Sequence, residues 1–159
     1  MEIQYLRAIL SYDPDTGIFR WAKPRPKVRV GSIAGYKHHK GHIEIEVDGK
    51  AYRAHRLAWL YIYGVWPKDQ IDHKNLKRAD NRIDNLREAT NGQNCANRRS
   101  FGKAGIKGAS LHKKSGRWHA QITHKKKCIS LGYYRTAEEA HAVYVAKAVE
   151  LHGEFARAE

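Results

Sequence analysis

Ile71-Asp72-His73, then Asp80-Asn81-Arg82-Ile83-Asp84-Asn85-Leu86-Arg87, then Thr90-Asn91-Gly92-Gln93-Asn94 occupy the middle of the chain. A carboxylate stands beside an imidazole, and amides recur at short intervals after it. A carboxylate and an amide oxygen suit Mg²⁺, a hard cation that keeps several waters and binds phosphate oxygens directly. An imidazole that titrates near neutrality suits removal of a proton from attacking water. If residues 71–73 end a strand, Asp72 and His73 point to opposite faces unless the strand twists or bulges there. Residues 76–82 read as polar loop and residues 83–86 as a second strand. Thr90-x-x-Gln93 is a capping box that opens a helix, and Asn94 and Asn97 share one face of that helix. The expected unit is strand, loop, strand, helix.

Upstream, residues 2–10 place Ile3, Leu6 and Leu10 on one helical face. Asp13 to Gly17 has turn chemistry, and residues 18–21 read as a strand. Residues 23–29 form a basic, proline-punctuated loop. His42 to Val47 alternates strictly, with Ile43, Ile45 and Val47 inward; Asp48-Gly49 marks a two-residue hairpin turn, and residues 50–54 return. Residues 55–63 suit a buried helix stopped by Gly64 and Pro67, with His55 at its start as a packing or capping residue. His38 and His39 read as surface.

Downstream, residues 100–105 turn to small residues, a candidate linker. Residues 107–112, 117–124 and 128–131 read as three short strands. Thr136-Ala137-Glu138-Glu139 is a second capping box, and its helix turns Ala140, Val143, Tyr144, Ala148 and Leu151 inward up to Gly153. Trp118, Ala120 and Ile122 alternate toward that helix, as do Ile129 and Leu131. The opposite face is then polar: Ser110, His112, Arg117, His119, Gln121, Thr123 and Ser130. Lys113, Lys114, Lys125, Lys126 and Lys127 flank it.

Composition narrows the partner. The chain has 159 residues, enough for one large or two small domains, and 42% of them are hydrophobic, so it can bury a core. Thirty Lys+Arg against sixteen Asp+Glu give a formal charge of +14. Each neutralised phosphate releases a condensed counterion, so nucleic acid is the partner that rewards such an excess. A solvated basic surface and an anionic membrane are the competing explanations. No apolar run reaches the ~18–20 residues that span a bilayer. The first residues lack a basic, then apolar, secretory signal. Cys95 and Cys128 are isolated, with no Cys-x-x-Cys, so neither a disulfide scaffold nor a zinc ribbon is indicated and a reducing, intracellular setting fits best.

Two resemblances follow. His55-Arg56-Leu57-Ala58-Trp59, Ile71-Asp72-His73, the run from Asp80 to Arg87, and Gln93-Asn94-x-x-Asn97-Arg98 resemble the HNH endonuclease family with its ββα-metal fold. More specifically they resemble the phage and intron homing branch, in which the last His of the motif is Asn. The resemblance implies that Asp72 is a metal ligand and His73 the general base. Asn85 would hydrogen-bond His73 or its backbone, and Asn94, with Asn97 as the alternative, would be the second ligand to one Mg²⁺ or Mn²⁺. Residues 105–157, with Leu131-Gly132-Tyr133-Tyr134-Arg135-Thr136 and Leu151-His152-Gly153-Glu154-Phe155-Ala156, resemble the plant ethylene-response-factor (APETALA-type) DNA-binding domain. That family sets a three-stranded sheet in the major groove. Its Arg and Trp positions hold Ser110, Gln121 and Ser130 here, so the fold and the groove carry over but the recognised sequence does not.

The expectation is an α+β chain. An N-terminal helix and β-hairpin region (1–54) precedes an HNH ββα-metal nuclease (55–100). A linker (101–106) leads to an ethylene-response-factor-like domain of three antiparallel strands on one helix (107–159). Its expected activity is metal-dependent hydrolysis of double-stranded DNA by a monomer in the cytoplasm, that of the bacterial host if phage-encoded. It would leave 5′-phosphate and 3′-hydroxyl ends. The rivals are a non-catalytic DNA-binding regulator on the same scaffold and an RNA-binding accessory protein, which would want aromatic residues on an exposed sheet face.

Overall fold

The computed structural model describes residues 1–98 and 106–157. The chain is α+β throughout, and it divides into two compact units, Met1–Ala89 and Thr90–Glu159. The linker expected at residues 101–106 lies, up to residue 105, outside the described residues. Among the described residues no helix is long and apolar enough to cross a membrane.

The first unit begins with α1 (Ile3–Ile9), which runs directly into β1 (Leu10–Asp13). β1 pairs with β2 (Ile18–Trp21), so the strand follows the helix one residue earlier than apolar spacing suggested. The turn between them is held by Asp13, whose carboxylate accepts from the Asp15 and Thr16 amides and from the Thr16 hydroxyl at 2.6 Å. β3 (Tyr36–Lys37), β4 (Ile43–Val47) and β5 (Lys50–Arg53) form a second sheet. Asp48 and Gly49 both have positive φ, 51° and 74°, as a two-residue turn with right-handed strand twist requires. α2 (Ala54–Tyr63) follows without a break and ends at Gly64 in the left-handed region, whose N–H bonds back to Leu60.

One core unites these pieces. Leu6, Leu10, Phe19, Ile45 and Leu57 are fully buried in a cluster that also holds Ile71 and Leu86. The expected boundary after residue 54 is therefore not where the structure divides: β5 leads straight into α2, and neither half has a separate core to bury. Tyr12, Phe19 and Tyr61 form an aromatic trio with ring centroids 4.6–6.1 Å apart.

The second unit holds α3 (Asn91–Ala96), β8 (Ala109–His112), β9 (Arg117–His124), β10 (Lys127–Tyr134) and α4 (Ala137–His152). The strands lie in the order β10-β9-β8, all antiparallel. Ala120 and Ile122 are buried, and Ile122 packs with Tyr144 and Ala148 of α4. Trp118, expected in this core, is only half-buried. β10 runs three residues beyond the expected end because a bulge between Ser130 and Gly132 shifts its register and lets pairing continue to Tyr134.

Gly17 is the contact to test. Its φ is +71°, and a Cβ there would sit 2.4 Å from the Arg82 nitrogen and 2.5 Å from the Asn81 carbonyl carbon. Gly49 has a similar φ of +74° and open space around it. Backbone strain alone costs about 1–2 kcal/mol for an L-residue in this region. Gly49→Ala should lose about that much in urea unfolding and Gly17→Ala at least ~3 kcal/mol. Equal losses would mean the β1–β2 turn does not press on the loop around Asn81.

Candidate active site

β6 (Gln70–His73) and β7 (Leu86–Ala89) pair so that Asp72 lies opposite Arg87 and His73 opposite Leu86. Residues directly opposite share a face. Arg87 accordingly donates from both Nε and Nη2 to Asp72 Oδ2, each at 2.9 Å. Both side chains are largely removed from solvent, 12% and 4% exposed, so this is a buried ion pair rather than a surface one. His73, one residue on, is also buried.

The segment between the strands is built around Asp80. Its carboxylate accepts from Arg82 Nε at 2.8 Å and Nη2 at 2.7 Å, and from Asn75 Nδ2 at 2.7 Å. The Arg82 guanidinium, with Asn75 assisting, holds the Asp80 carboxyl far below the usual carboxylate range. Residues Ile83–Asn85 form a 3-10 turn, not the start of a strand, and pairing begins only at Leu86. The turn-forming side chains of Asp80, Asn81 and Asn85 outweigh the apolar Ile83 here.

This changes the role expected of Asn85. Its Oδ1 accepts from the Asn75 amide at 3.0 Å and its Nδ2 donates to the Asp80 carbonyl at 2.8 Å, so its side chain braces the loop. The His73 ring meets Asn81 instead, whose Oδ1 lies 3.3 Å from Nε2. An amide oxygen only accepts, so in this orientation the imidazole donates from Nε2 and its lone pair is on Nδ1. Asn81 is itself buried, and its carbonyl accepts from the Tyr12 hydroxyl at 2.7 Å.

Burial pushes the His73 pKa below its ordinary value, against the opposing effects of the Asn81 hydrogen bond and the Asp72 and Asp80 charges. The ring is thus neutral at physiological pH, the state a general base needs. Two further histidines accompany it. Ring centroids of His42, His55 and His73 are 5.1–5.8 Å apart. Burial lowers His55 to about 2 and His42 to about 4. One ring nitrogen from each of the three lies within 4.8 Å of the others. His55, expected only to pack or cap, is part of this cluster. His42 carried no sequence signal, since it stands just before an alternating strand and meets its partners only through the fold.

Asn94 and Asn97 belong to the second unit. Thr90 Oγ1 accepts from the Gln93 amide at 3.3 Å, and Gln93 Oε1 accepts from the Thr90 amide at 2.8 Å, so the capping box is formed. Asn94 lies within α3, half-buried, and Asn97 just past its end, buried.

On the sheet of the second unit, Ser110, His112, Arg117, Gln121, Thr123 and Ser130 are exposed and His119 is half-buried. Register places Ser110 beside His119 and Gln121 beside Ser130. His119 Nε2 lies 2.8 Å from Ser130 Oγ. Tyr133 was not expected on this face. The bulge brings it opposite His119, where the rings stack at 4.7 Å, and His112 meets it edge-on at 5.5 Å. Lys113, Lys114, Lys125, Lys126 and Lys127 are all exposed at the hairpin ends. Lys125 and Lys126 have positive φ, 48° and 65°, in a turn that glycine or asparagine would fill with less strain.

Residues 52–96 match the family profile described as HNH endonuclease. No curated protein matches the chain. The match covers α2, the β6–β7 hairpin with Asp72, His73, Asn81 and Asn85, and α3 with Asn94.

The Asp72–Arg87 pair yields a stability test. Removing one partner of a buried pair typically costs about 3–5 kcal/mol, because the other charge is left uncompensated. Arg87→Leu should show a loss of that order in urea unfolding, and adding Asp72→Asn should restore at least ~2 kcal/mol. Additive losses in the double-mutant cycle would show that the two side chains are not coupled.

Proposed function

We propose, from the HNH endonuclease domain at residues 52–96, that this protein is a divalent-metal-dependent endonuclease of the phage or intron homing type. It hydrolyses phosphodiester bonds of double-stranded DNA, and the sheet of the second unit reads the target. The observation that carries the hydrolytic part is His73: buried, neutral, oriented by Asn81, and next in sequence to a buried carboxylate.

The His73 imidazole takes a proton from the attacking water. Asn81 holds the ring against rotation, and Asn85 braces the loop that carries Asn81. Asp72 and Asn94 would hold one Mg²⁺ or Mn²⁺, with Asn97 as the alternative to Asn94. Both donors are oxygens, the chemistry a hard cation selects. When bound, such an ion supplies positive charge for the scissile phosphate and the departing 3′-oxygen. The ends left are 5′-phosphate and 3′-hydroxyl. A monomer has one such site, so a nick is the expected product.

For the second unit, a polar face of Ser110, His112, Arg117, His119, Gln121, Thr123 and Ser130 supplies groups that can read base edges. The exposed lysines at both hairpin ends suit phosphates. A second reading, a non-catalytic DNA-binding regulator on this scaffold, is favoured by one observation. The two hydrogen bonds from Arg87 give Asp72 a structural reason to be present.

Supercoiled plasmid separates the two. Wild-type protein with Mg²⁺ should convert it to the nicked form, EDTA should stop the conversion, and His73→Ala should slow it by about 10²-fold or more. Nicking that ignores both changes would overturn the nuclease reading, and DNA binding without nicking would favour the regulator.

The turn lysines give a second measurement. Replacing Lys125-Lys126 with Asn-Gly should stabilise the protein by about 1 kcal/mol by relieving the left-handed strain. If both lysines touch phosphates, it should also flatten the salt dependence of DNA binding by about two counterions. An unchanged salt slope would remove that turn from the DNA interface.

A further inference from the structure

We propose that His42, His55 and His73 form a binding site for one borderline divalent cation of the zinc class, and that filling it engages the imidazole assigned above as the base. The link to hydrolysis rests on the nuclease reading; the site itself does not. Its three members come from separate elements of the first unit: the residue before β4, the first turn of α2 and the end of β6. One ring nitrogen of each falls within 4.8 Å of the others.

Two observations separate this cluster from ordinary ring packing. His42 Nδ1 and His55 Nδ1 are buried, and neither has a hydrogen-bond partner in the described structure. A buried nitrogen left unsatisfied is destabilising, and an apolar side chain in its place would avoid that cost. His55 is only 7% exposed.

The donors select the ion. Neutral imidazoles suit Zn²⁺, Ni²⁺ and Cu²⁺, whereas Mg²⁺ prefers oxygen and keeps its water. Three protein nitrogens with a fourth position open is an ordinary zinc arrangement. Zn–N bonds of ~2.0–2.1 Å place tetrahedral ligand nitrogens about 3.4 Å apart, so the rings must close by up to about 1.4 Å, within reach of side-chain rotation. The surrounding charges act both ways: Arg53 and Arg78 oppose a cation, and Asp72 and Asp80 favour it. An ion that takes a ring nitrogen of His73 occupies the imidazole that hydrolysis needs. Ligation and base function therefore exclude each other.

The test uses the full chain, stripped of metal and free of DNA. Co²⁺, which reports four-coordination by its visible d–d bands, should bind with one equivalent. Zn²⁺ should displace it, and a large excess of Mg²⁺ should not. His42→Ala, His55→Ala and His73→Ala should each abolish or strongly weaken the bands. His55→Cys should instead add a thiolate-to-cobalt charge-transfer band, a gain that an unfolded protein would not give in one-to-one ratio.

Bands that survive His42→Ala, or a thiolate band already present in the wild type from Cys95 or Cys128, would overturn the site. In the plasmid assay Zn²⁺ should slow Mg²⁺-supported nicking with the midpoint at which it displaces Co²⁺. Full nicking by zinc-loaded protein would overturn the claim that His73 is shared. Absence of nicking under all conditions would count against the nuclease reading, while the cobalt spectra would still decide the site.

Discussion

The Tyr12 hydroxyl donates 2.7 Å to the carbonyl of Asn81, and the placement of the His73 imidazole depends on that bond. Asn81 is fixed through its backbone by Tyr12 and touches the imidazole through its side chain. Gly17 presses on the same peptide, and the Pro14 carbonyl accepts from the Ile83 amide at 3.3 Å. The β1–β2 hairpin, which carries none of the catalytic candidates, is thus the wall against which the Asn81 loop is set. Tyr12 is held in turn by rings of Phe19 and Tyr61. The chain runs from core packing to one hydroxyl, from the hydroxyl to one peptide, and from the peptide to one nitrogen.

Elements with a strong local signature were legible in the sequence. Strict alternation fixed β4, Asp48-Gly49 fixed its turn, and the two capping boxes fixed the starts of α3 and α4. Asp72 and His73 were legible as a pair because they are adjacent. What was not legible depended on tertiary context. Ile83 to Leu86 looked like strand by composition, but side-chain hydrogen bonds within the loop bend it into a turn first. Asn85 and Asn81 are the same residue type four apart, and only the fold decides which amide meets the ring. Tyr133 reached the sheet face through a bulge, and a bulge shifts every later side chain by one position.

Two kinds of electrostatic solution sit side by side in the first unit. Asp72 keeps its charge in a buried setting by facing Arg87, whereas His42, His55 and His73 accommodate burial by giving up theirs. The first is costly to break and the second leaves nitrogen lone pairs without protons. A hard cation and a borderline cation would thus find different donors within a few residues of one another, oxygen from Asp72 and nitrogen from the imidazoles. The identity of the available ion then matters as much as its concentration.

The core shared between residues before and after position 54 has a consequence for how such genes can recombine. The HNH endonuclease match starts at residue 52, yet Leu6, Leu10, Phe19 and Ile45 lie earlier and complete the same interior as Leu57, Ile71 and Leu86. A crossover at the start of the recognisable motif would carry Asp72 and His73 into a new gene without the hairpin that seats Asn81. The inheritable cassette is longer than the motif, because it must reach back past Ile45 and Phe19 to Leu6.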